Sequence, residues 1–254
     1  MKNFKLYSEI YDLINFDKDY KKESEFIEKL ISKNIEKKSN NSILDLGCGT
    51  AKHIEFLYDL GYKVEGIDLS LDMLRIAKKR IKKKKIKLFH SDISSLNLNK
   101  KFNIIISLFH VISYQNTNQQ IKNTFKTVNK HLKNGGIFIF DFWYGPAVLR
   151  DLPTKRVKKV ENKKIKCKRT TRPKIHYDLN LVDVNFNFEI LNKKNNKISK
   201  YMELHKMRYF FDPELHEFSN LFNFKFLNSY EWLSFKKPTY KSWNTVWVLK
   251  KERE

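Results

Sequence analysis

The sequence is poor in the residues that build disulfide frameworks, metal sites and membrane spans. Its two cysteines, Cys48 and Cys167, cannot form a disulfide framework, and no CxxC or HExxH spacing indicates a metal site. No apolar run approaches the length of a membrane-spanning helix, and the opening MKNFKLYSEIYD lacks the apolar core of a signal peptide. We therefore expect a reduced, cytoplasmic protein with no metal and no membrane partner.

Acidic residues are also scarce beside basic ones, with 28 Asp and Glu against 51 Lys and Arg and a net charge of +23. Such a surplus attracts nucleic acids when it is clustered. Here the lysines are spread along the chain, and the densest run, residues 79–87, lies where a predicted helix gives way to a strand. We interpret this run as a solvated surface, while the net charge favours anionic small molecules through long-range steering.

The chain has 254 residues and a hydrophobic fraction of 41%, enough for one large domain with a sizeable core. Its organising stretch is SILDLGCGT, residues 42–50. The apolar run from Ile43 to Leu46 is typical of a buried parallel strand. Two glycines around Cys48 let the backbone turn sharply and approach a ligand closely. Thr50 is then predicted to cap a helix.

A second predicted strand, residues 63–68, ends in Asp68. Glycines at one end of a ligand and a carboxylate on the ribose hydroxyls at the other form an arrangement that binds adenosine. Lys52 stands where a dinucleotide site needs a third glycine, and the Gly-Lys-Ser/Thr of a triphosphate loop is absent. Gly61 is expected to end the helix that follows the glycine loop, and Ser70 to cap the helix after the second strand.

Further apolar runs predict the rest of an α/β sheet and an insertion. Strands are expected at residues 86–90, 102–108, 137–140, 224–233 and 242–249. Helices are expected at residues 17–37, from Ile121 to the pair Gly135 and Gly136, and from Asp212 as cap onward. Between the fifth strand and the last helix, the alternation in KIHYDLNLVDVNFNFEI predicts antiparallel strands.

The loop GCGT, the order of strand, helix, strand and acid, and the segment DLSLDMLRIAKKR together resemble class I methyltransferases that use S-adenosylmethionine. The resemblance implies a Rossmann-like, doubly wound α/β fold. Its sheet would be seven-stranded and mostly parallel, with an antiparallel β insertion after the fifth strand. The expected units are a lid and cofactor-binding core at 1–145, the insertion at 146–211, and the last helix and two strands at 212–254.

The same resemblance implies which residues bind S-adenosylmethionine: Asp45, Gly47, Cys48, Gly49, Thr50, Asp68, Leu69, Met73, Asp92, Ile93 and Phe109. Two of these positions leave an alternative open. The family places Met73 near the adenine, but a methionine in an inward-facing helical stripe is equally a core residue. Asp92 would accept a hydrogen bond from the adenine amino group, or it caps a loop.

The candidate catalytic and substrate residues lie just after strand ends and in the opening segment of the chain. His110 stands after the fourth strand, where its ordinary pKa near 6.5 lets it take a proton from an amine or hydroxyl; alternatively it satisfies backbone groups. Tyr7 and Tyr11 belong to an amphipathic opening segment that either packs on the core or, by the resemblance, folds over the cofactor as a lid. Tyr114, Trp143 and Tyr144 are the candidate substrate contacts.

Within the class, the chain looks most like N-methyltransferases of nucleotide-linked amino sugars, through YSEIYD, GCGT, the Phe-His-x-Ile-x-Tyr segment and DFWYGP. The resemblance implies an anionic, nucleotide-linked small-molecule substrate. O-methylation of a sugar or metabolite stays open. An RNA methyltransferase is disfavoured because no Asn/Asp-Pro-Pro-aromatic or Pro-Cys motif follows the fourth strand. RNA binding without catalysis is disfavoured further. The insertion would decide substrate choice or form a homodimer contact, and its candidate contacts include His176, His205 and Arg208.

Overall fold

The structure, a computed structural model, describes residues 5–36 and 41–252. Over these ranges the chain forms helices α1–α7: Lys5–Ile14, Tyr20–Asn34, Lys52–Asp59, Leu71–Arg80, Asn118–His131, Gly145–Arg150 and Asp212–Leu221. It forms strands β1–β11: Ser42–Leu46, Lys63–Asp68, Lys87–His90, Phe102–Ser107, Leu132–Tyr144, Arg156–Glu161, Ile165–His176, Leu181–Asn192, Ile198–Phe210, Phe224–Glu231 and Asn244–Lys251. None of the described helices has the length and apolar content needed to cross a membrane.

The central sheet has the strand order β3-β2-β1-β4-β5-β11-β10. Strands β1 to β5 pair in parallel, and β11 is antiparallel to both β5 and β10. The predicted doubly wound, mostly parallel sheet is therefore confirmed. The described chain has more strands than the seven predicted, because the insertion adds β6 to β9 to the same sheet.

The central strands are apolar throughout because helices cover both faces of the sheet. In β4, Ile104 and Ile106 point into a core shared with α2, α3 and α4, while Ile105 points into a second core under α5 and α7. All three side chains are fully buried. Each contributes about 1.5–3 kcal/mol of hydrophobic stabilisation, and together they fix the end of β4 beside the end of β1.

Strand β5 is longer than predicted and begins before the glycine pair. Helix α5 ends at His131, and Leu132 already pairs with Phe102. The pair Gly135 and Gly136 lies inside an irregularity of the β4–β5 ladder rather than ending the helix. At its other end β5 continues past Phe140, because β11 pairs with it as far as Trp143. The prediction missed this partner, which lies about a hundred positions away in the chain.

The structure confirms one of the predicted helix starts and changes two others. Ser70 caps α4 as predicted, accepting a hydrogen bond from the Met73 N–H at 3.2 Å. Helix α2 begins at Tyr20 rather than near residue 17, because the Asp19 carboxylate accepts from the Lys22 N–H. The prediction that Thr50 caps α3 was wrong. Ala51 occupies the cap position in a left-handed conformation, and Thr50 bonds elsewhere.

The cap residue of the last helix, α7, lies one position earlier than predicted. Phe211 holds the cap position, and its N–H is satisfied by the Glu214 carboxylate at 3.0 Å. Asp212 is then the first helical residue and Pro213 lies in the first turn. The other predicted strands begin and end within two residues of their observed bounds.

The four insertion strands form an antiparallel meander in the order β6-β7-β8-β9. This meander joins the central sheet through a short parallel pairing of β5 with β9, Trp143 with Tyr209 and Tyr144 with Phe210. One of its faces packs against α1, since Phe188 of β8 belongs to the same apolar cluster as Ile10. We call this the inner face of the insertion. It stands over the carboxyl ends of the central strands, where open α/β sheets bind ligands.

Gly66 of β2 gives a direct test of the packing beneath the loop that follows β1. A Cβ at this position would overlap the Cδ1 atom of Ile54 and lie 2.9 Å from Sγ of Cys48. We expect Gly66→Ala to lower the free energy of unfolding by about 1–3 kcal/mol, the usual effect of overpacking a core. Urea denaturation measures it.

The matched control places the same substitution in an Ile54→Val background, which lacks the overlapping Cδ1 atom. There the penalty of Gly66→Ala should be smaller. An equal penalty in both backgrounds would contradict the steric explanation.

Candidate functional site

The loop after β1 brings bare backbone to the ligand edge of the sheet. The N–H groups of Gly47 and Cys48 both donate to the carbonyl of Ile67, at 2.9 and 2.8 Å. Gly47 has a positive φ of 78°, and a Cβ there would lie 2.6 Å from both Cγ atoms of Val111. Only glycine fits this conformation and this contact without displacing Val111. The loop is thereby tied to β2 on one side and packed against the segment after β4 on the other.

Asp68 holds the same loop from the end of β2. Its Oδ2 accepts the N–H of Gly49 at 2.8 Å, and its Oδ1 accepts the N–H of Ser70 at 2.8 Å. Burial raises the pKa of Asp68, against the opposing effect of these two N–H donors. Each carboxylate oxygen keeps a further lone pair, so the side chain can accept from the hydroxyls of a bound ribose while it fixes the loop.

Asp45 is a buried acid at the end of β1, with 2% of its surface exposed. Burial, and secondly the charge of Asp68, raise its pKa from 3.8 to about 8. In the described part of the chain its side chain has no hydrogen-bond partner. A carboxyl group in this state is protonated at neutral pH, and a cation bound beside it would favour its ionised form. Its contribution to stability is present below pH 4 and is lost as the pH rises through 8.

Three predicted cofactor residues have their side chains engaged elsewhere. The Cys48 thiol lies in the core between β2 and α3, where burial raises its pKa well above the ordinary value. Thr50 donates to Asp12 at 2.9 Å. Met73 is buried in the apolar cluster between α1 and the insertion. Any role of these residues toward a cofactor therefore rests on their backbone or on one edge of the side chain.

The residues after β2 and β3 occupy the rim of the same edge. Leu69 is half-exposed, and its carbonyl accepts from Nε2 of His90 at 2.9 Å. Asp92 uses Oδ1 to accept from the N–H and the hydroxyl of Ser94, both at 2.7 Å. Ile93 is buried in the core under α5. Asp92 thus has the loop-capping contacts that were its alternative, and its contact with an adenine stays a prediction.

Helix α1 is fastened to the glycine loop by Asp12, which the sequence reading did not single out. The Asp12 carboxylate accepts from the Thr50 hydroxyl and pairs with the guanidinium of Arg80. Arg80 also donates from Nε to the Thr50 carbonyl at 2.8 Å. Tyr11, one residue before Asp12, meets the ring of Phe109 edge-on at 6.5 Å between centroids.

Tyr7 also falls within α1, but its side chain lies outside the described residues. The prediction that it enters the site therefore stays a prediction.

Phe109 and His110 follow β4 in consecutive left-handed conformations, with φ of 65° and 62°. For residues other than glycine, each such conformation costs on the order of 1–3 kcal/mol and persists only where neighbours hold it. Here the N–H of His110 donates to both carboxylate oxygens of Asp141, at 3.1 and 3.3 Å. The ammonium of Lys18 lies 4.3 Å from the centre of the Phe109 ring. Strain held in this way is characteristic of functional sites.

His110 and Asp141 form the central titratable pair of the site. Nδ1 of His110 lies 3.0 Å from Oδ2 of Asp141, but out of line for a hydrogen bond in this arrangement. Asp141 is fully buried, whereas 18% of the His110 side chain is exposed. The ring of Trp143 lies 6.2 Å from His110 at a steep angle. The imidazole therefore has a carboxylate on its Nδ1 side and an accessible edge facing away from it.

Of the three predicted substrate contacts, Trp143 is the one with a recorded contact to this pair. Trp143 lies beside His110, and Tyr114 reaches across to β9, where its hydroxyl lies 2.7 Å from Nδ1 of His205. Tyr144 points to the opposite face of the sheet. It donates to Asp212 at 3.1 Å, and burial and the Asp212 charge raise its pKa to about 12. Trp143 and Tyr144 face opposite ways because successive residues of a strand alternate between faces. The substrate contact of Tyr144 stays a prediction.

A second buried pair joins α2 to α3, the helix that follows the glycine loop. Oε2 of Glu23 in α2 lies 2.7 Å from Nε2 of His53 in α3, and Glu23 also pairs with Lys18. The sequence predicted α2 only as a helix at residues 17–37. A glutamate among its apolar positions was the available signal, although it does not by itself distinguish a buried acid from an exposed one.

The comparisons with known proteins agree with this geometry. Residues 43–136 match a family described as a methyltransferase domain. The dTDP-3-amino-3,4,6-trideoxy-alpha-D-glucopyranose N,N-dimethyltransferase of Streptomyces venezuelae is 30% identical over 148 residues, which cover 57% of this chain and 60% of that protein. The dTDP-3-amino-3,6-dideoxy-alpha-D-glucopyranose N,N-dimethyltransferase of Streptomyces fradiae is 29% identical over 141 residues, 55% of this chain and 54% of that protein. The matches thus span about half to three fifths of these curated relatives.

The similarity of fold extends further than the similarity of sequence. An S-adenosylmethionine-dependent methyltransferase from Clostridium acetobutylicum superimposes with a TM-score of 0.80 at 25% identity, covering 98% of this chain and 99% of that one. The insertion is therefore part of the shared architecture. Residues 43–136 therefore contain a methyltransferase domain, and the whole chain shares the fold of this S-adenosylmethionine-dependent methyltransferase.

Proposed function

We propose that the protein transfers a methyl group from S-adenosylmethionine to the amine of a small molecule, most specifically a nucleotide-linked amino sugar. The observation that carries this proposal is the His110–Asp141 pair, held in a strained backbone beside the glycine loop. It places a proton acceptor at the ligand edge of the sheet. The two curated relatives described above act, by their names, on dTDP-linked amino sugars.

The residues of the glycine loop fit this cofactor. Asp68 has lone pairs for ribose hydroxyls, and the backbone of Gly47 and Gly49 allows close approach. Asp45 is a buried acid without a hydrogen-bond partner in the described chain, as expected for a group that meets a cation on binding. When bound, S-adenosylmethionine supplies an electrophilic methyl group on a sulfonium.

His110 has the chemistry needed on the acceptor side. An ammonium must lose a proton before its nitrogen can act as a nucleophile. Nε2 of His110 can take this proton, and the resulting positive charge then lies with Nδ1 3.0 Å from the Asp141 carboxylate. The buried carboxylate stabilises the imidazolium and fixes the ring orientation, as in other histidine–carboxylate pairs.

The charge distribution suits an anionic acceptor. The chain carries a net charge of +23, and the lysines at 82, 83 and 85 are exposed, consistent with a solvated surface that steers anions. The inner face of the insertion also carries Arg169, whose guanidinium lies 4.8 Å from the Phe186 ring. Its Nε atom is buried without a partner among the described residues. A guanidinium in this state is suited to binding a phosphate of a nucleotide diphosphate.

The test is a mass-spectrometric assay with S-adenosylmethionine and three classes of acceptor. These are nucleotide-linked amino sugars, the corresponding hydroxyl sugars, and bulk RNA. We expect one or two methyl groups on an amino sugar and none on its hydroxyl counterpart. Methylation of the hydroxyl sugars alone would assign an O-methyltransferase, and methylation of RNA alone would make the basic surface the recognition element.

The raised pKa of Asp45 predicts that cofactor binding releases a proton. At pH 7 a carboxyl with a pKa of about 8 is protonated in the free protein. A bound sulfonium and ammonium should lower that pKa and ionise the group. Isothermal titration calorimetry in buffers of different ionisation enthalpy should therefore report the release of nearly one proton at pH 7, and much less for Asp45→Asn.

Asp72→Asn provides the control, because Asp72 lies in the first turn of α4 and pairs with Arg75 at the surface. This variant should release as many protons as the wild type. Equal release by Asp45→Asn and the wild type would mean that Asp45 is already ionised in the free protein.

Replacing His110 should affect turnover far more than cofactor binding. His110→Asn is the variant of choice, because asparagine tolerates the left-handed φ of 62° that alanine would strain. We expect kcat on the amine to fall about 10²- to 10⁴-fold, the usual contribution of a general base, with the Kd for S-adenosylmethionine within about twofold. Wild-type turnover by this variant would remove the proton-accepting role of His110.

A further inference from the structure

A second histidine lies on the inner face of the insertion and connects Tyr114 to a buried acid. Nδ1 of His205 lies 2.7 Å from the hydroxyl oxygen of Tyr114, and its Nε2 lies 3.0 Å from Oε2 of Glu203. The ring of Phe186 meets the imidazole edge-on at 4.8 Å. The three polar side chains thus form one chain of hydrogen bonds from β9 to the segment after β4.

The position of this chain in the sheet is unusual for a structural role. Glu203 and His205 are 7% and 3% exposed, while Met202, the residue before Glu203, is 79% exposed. The alternation of β9 therefore turns a glutamate and a histidine inward and a methionine outward, the reverse of what hydrophobic burial favours. Across the ladder the two buried groups face Phe186 and Val184. Burying polar groups among such neighbours is unfavourable unless each is hydrogen-bonded.

The hydrogen-bond roles in the chain follow from its ends. When Glu203 is ionised its carboxylate can only accept, and Nε2 of His205 then donates to it. In the neutral imidazole Nδ1 is then an acceptor, and it takes the proton of the Tyr114 hydroxyl. Any further hydrogen bond to the Tyr114 oxygen must consequently be donated to it. Through His205, Glu203 in this way determines whether the Tyr114 hydroxyl donates or accepts in its further hydrogen bonds.

We propose that Tyr114 accepts an N–H from the acceptor amine, and that Glu203 and His205 are positioning residues that hold it in this accepting state. The proposal rests on the proposed function. It deepens it by distinguishing amines from hydroxyls. A protonated amine carries several N–H donors and can donate to His110 and to Tyr114 at once, whereas a hydroxyl carries only one donor.

The location of Tyr114 supports this role. It lies four residues after His110, at the end of the short 3₁₀ helix Ile112–Tyr114 that follows the ligand end of β4. Ser113, between them, accepts the N–H of Trp143 at 3.2 Å, so this helix is tied to the end of β5. Tyr114 and Trp143 both pack against the apolar cluster around Val184 and Met207. The hydroxyl therefore stands where the central sheet and the inner face of the insertion meet.

His176, named above among the candidate contacts of the insertion, lies on its outer face and therefore provides a matched control. Its Nε2 lies 3.1 Å from Oδ2 of Asp183, so it is also a histidine paired with a carboxylate in the insertion. The register of β7 with β8 places both residues on the outer face, opposite to Val182 and Ile175. His176→Asn thus removes a comparable pair that does not face Tyr114.

The experiment measures steady-state kinetics on a nucleotide-linked amino sugar for Tyr114→Phe, Glu203→Gln and the double variant. S-adenosylmethionine affinity and thermal unfolding are recorded for each. We expect Tyr114→Phe to raise KM for the amino sugar roughly tenfold or more, as for a lost hydrogen bond to a charged group. Glu203→Gln should raise the same KM by a smaller factor, with the cofactor Kd unchanged in both.

The double variant separates positioning from a merely structural effect. If Glu203 acts through the Tyr114 hydroxyl, the double variant should be no worse than Tyr114→Phe alone, since the hydroxyl it orients is already absent. His205→Asn, which keeps a hydrogen-bonding atom near the position of Nδ1, should fall between wild type and Tyr114→Phe. His176→Asn should match the wild type.

Three results would overturn the inference. They are an unchanged KM for Tyr114→Phe, multiplied effects in the double variant, and an equal effect of His176→Asn. Each of these would leave the proposed function intact, provided that the wild type methylates the amine. A wild type that methylates only hydroxyl sugars would overturn both the proposed function and the role of Tyr114.

Discussion

The site depends on one buried carboxylate that holds two turns together. Asp68 accepts the N–H of Gly49 with one oxygen and the N–H of Ser70 with the other. These bonds join the loop after β1 to the start of α4, so two strand ends and one helix start share a single side chain. Burial in a region of low dielectric strengthens such bonds and makes their loss expensive. These two hydrogen bonds help to fix the position of the glycine loop relative to the start of α4.

The proposed acceptor site contains two histidines, and each lies beside a buried carboxylate. His110 is oriented by Asp141 from the central sheet, and His205 is oriented by Glu203 from the insertion. Both carboxylates are buried, and each lies about 3 Å from one nitrogen of its histidine, which leaves the other nitrogen facing away from the carboxylate. The central sheet and the insertion therefore each contribute a preorganised polar group. The site is complete only because β5 and β9 pair and bring them together.

The parts of the structure that the sequence predicts are those determined by neighbours along the chain. The run from Ile43 to Leu46, the glycine loop and the cap at Ser70 follow local rules of burial and turn formation, and the fold predicted from them is confirmed. The wrong prediction at Thr50 has a distant cause. Its hydroxyl was expected to cap the next helix, but it has a competing partner in Asp12, 38 positions earlier in the chain.

The same limit applies to the site. The position of His110 after β4 could be read from strand order, whereas its pairing with Asp141 and that of Tyr114 with His205 join segments 31 and 91 positions apart. The contact of Tyr144 with Asp212 lies beyond the predicted end of the fifth strand and joins positions 68 apart in the chain. Partners of this kind are fixed by tertiary pairing and carry no local signal.

The attachment of helix α1 has a consequence for any movement of this helix. The Asp12 carboxylate contacts the Thr50 hydroxyl and the Arg80 guanidinium together, and Ile10 and Ile14 are buried against the insertion. Moving α1 away from the glycine loop would therefore require the polar contacts of Asp12 and the apolar contacts of Ile10 and Ile14 to be broken together.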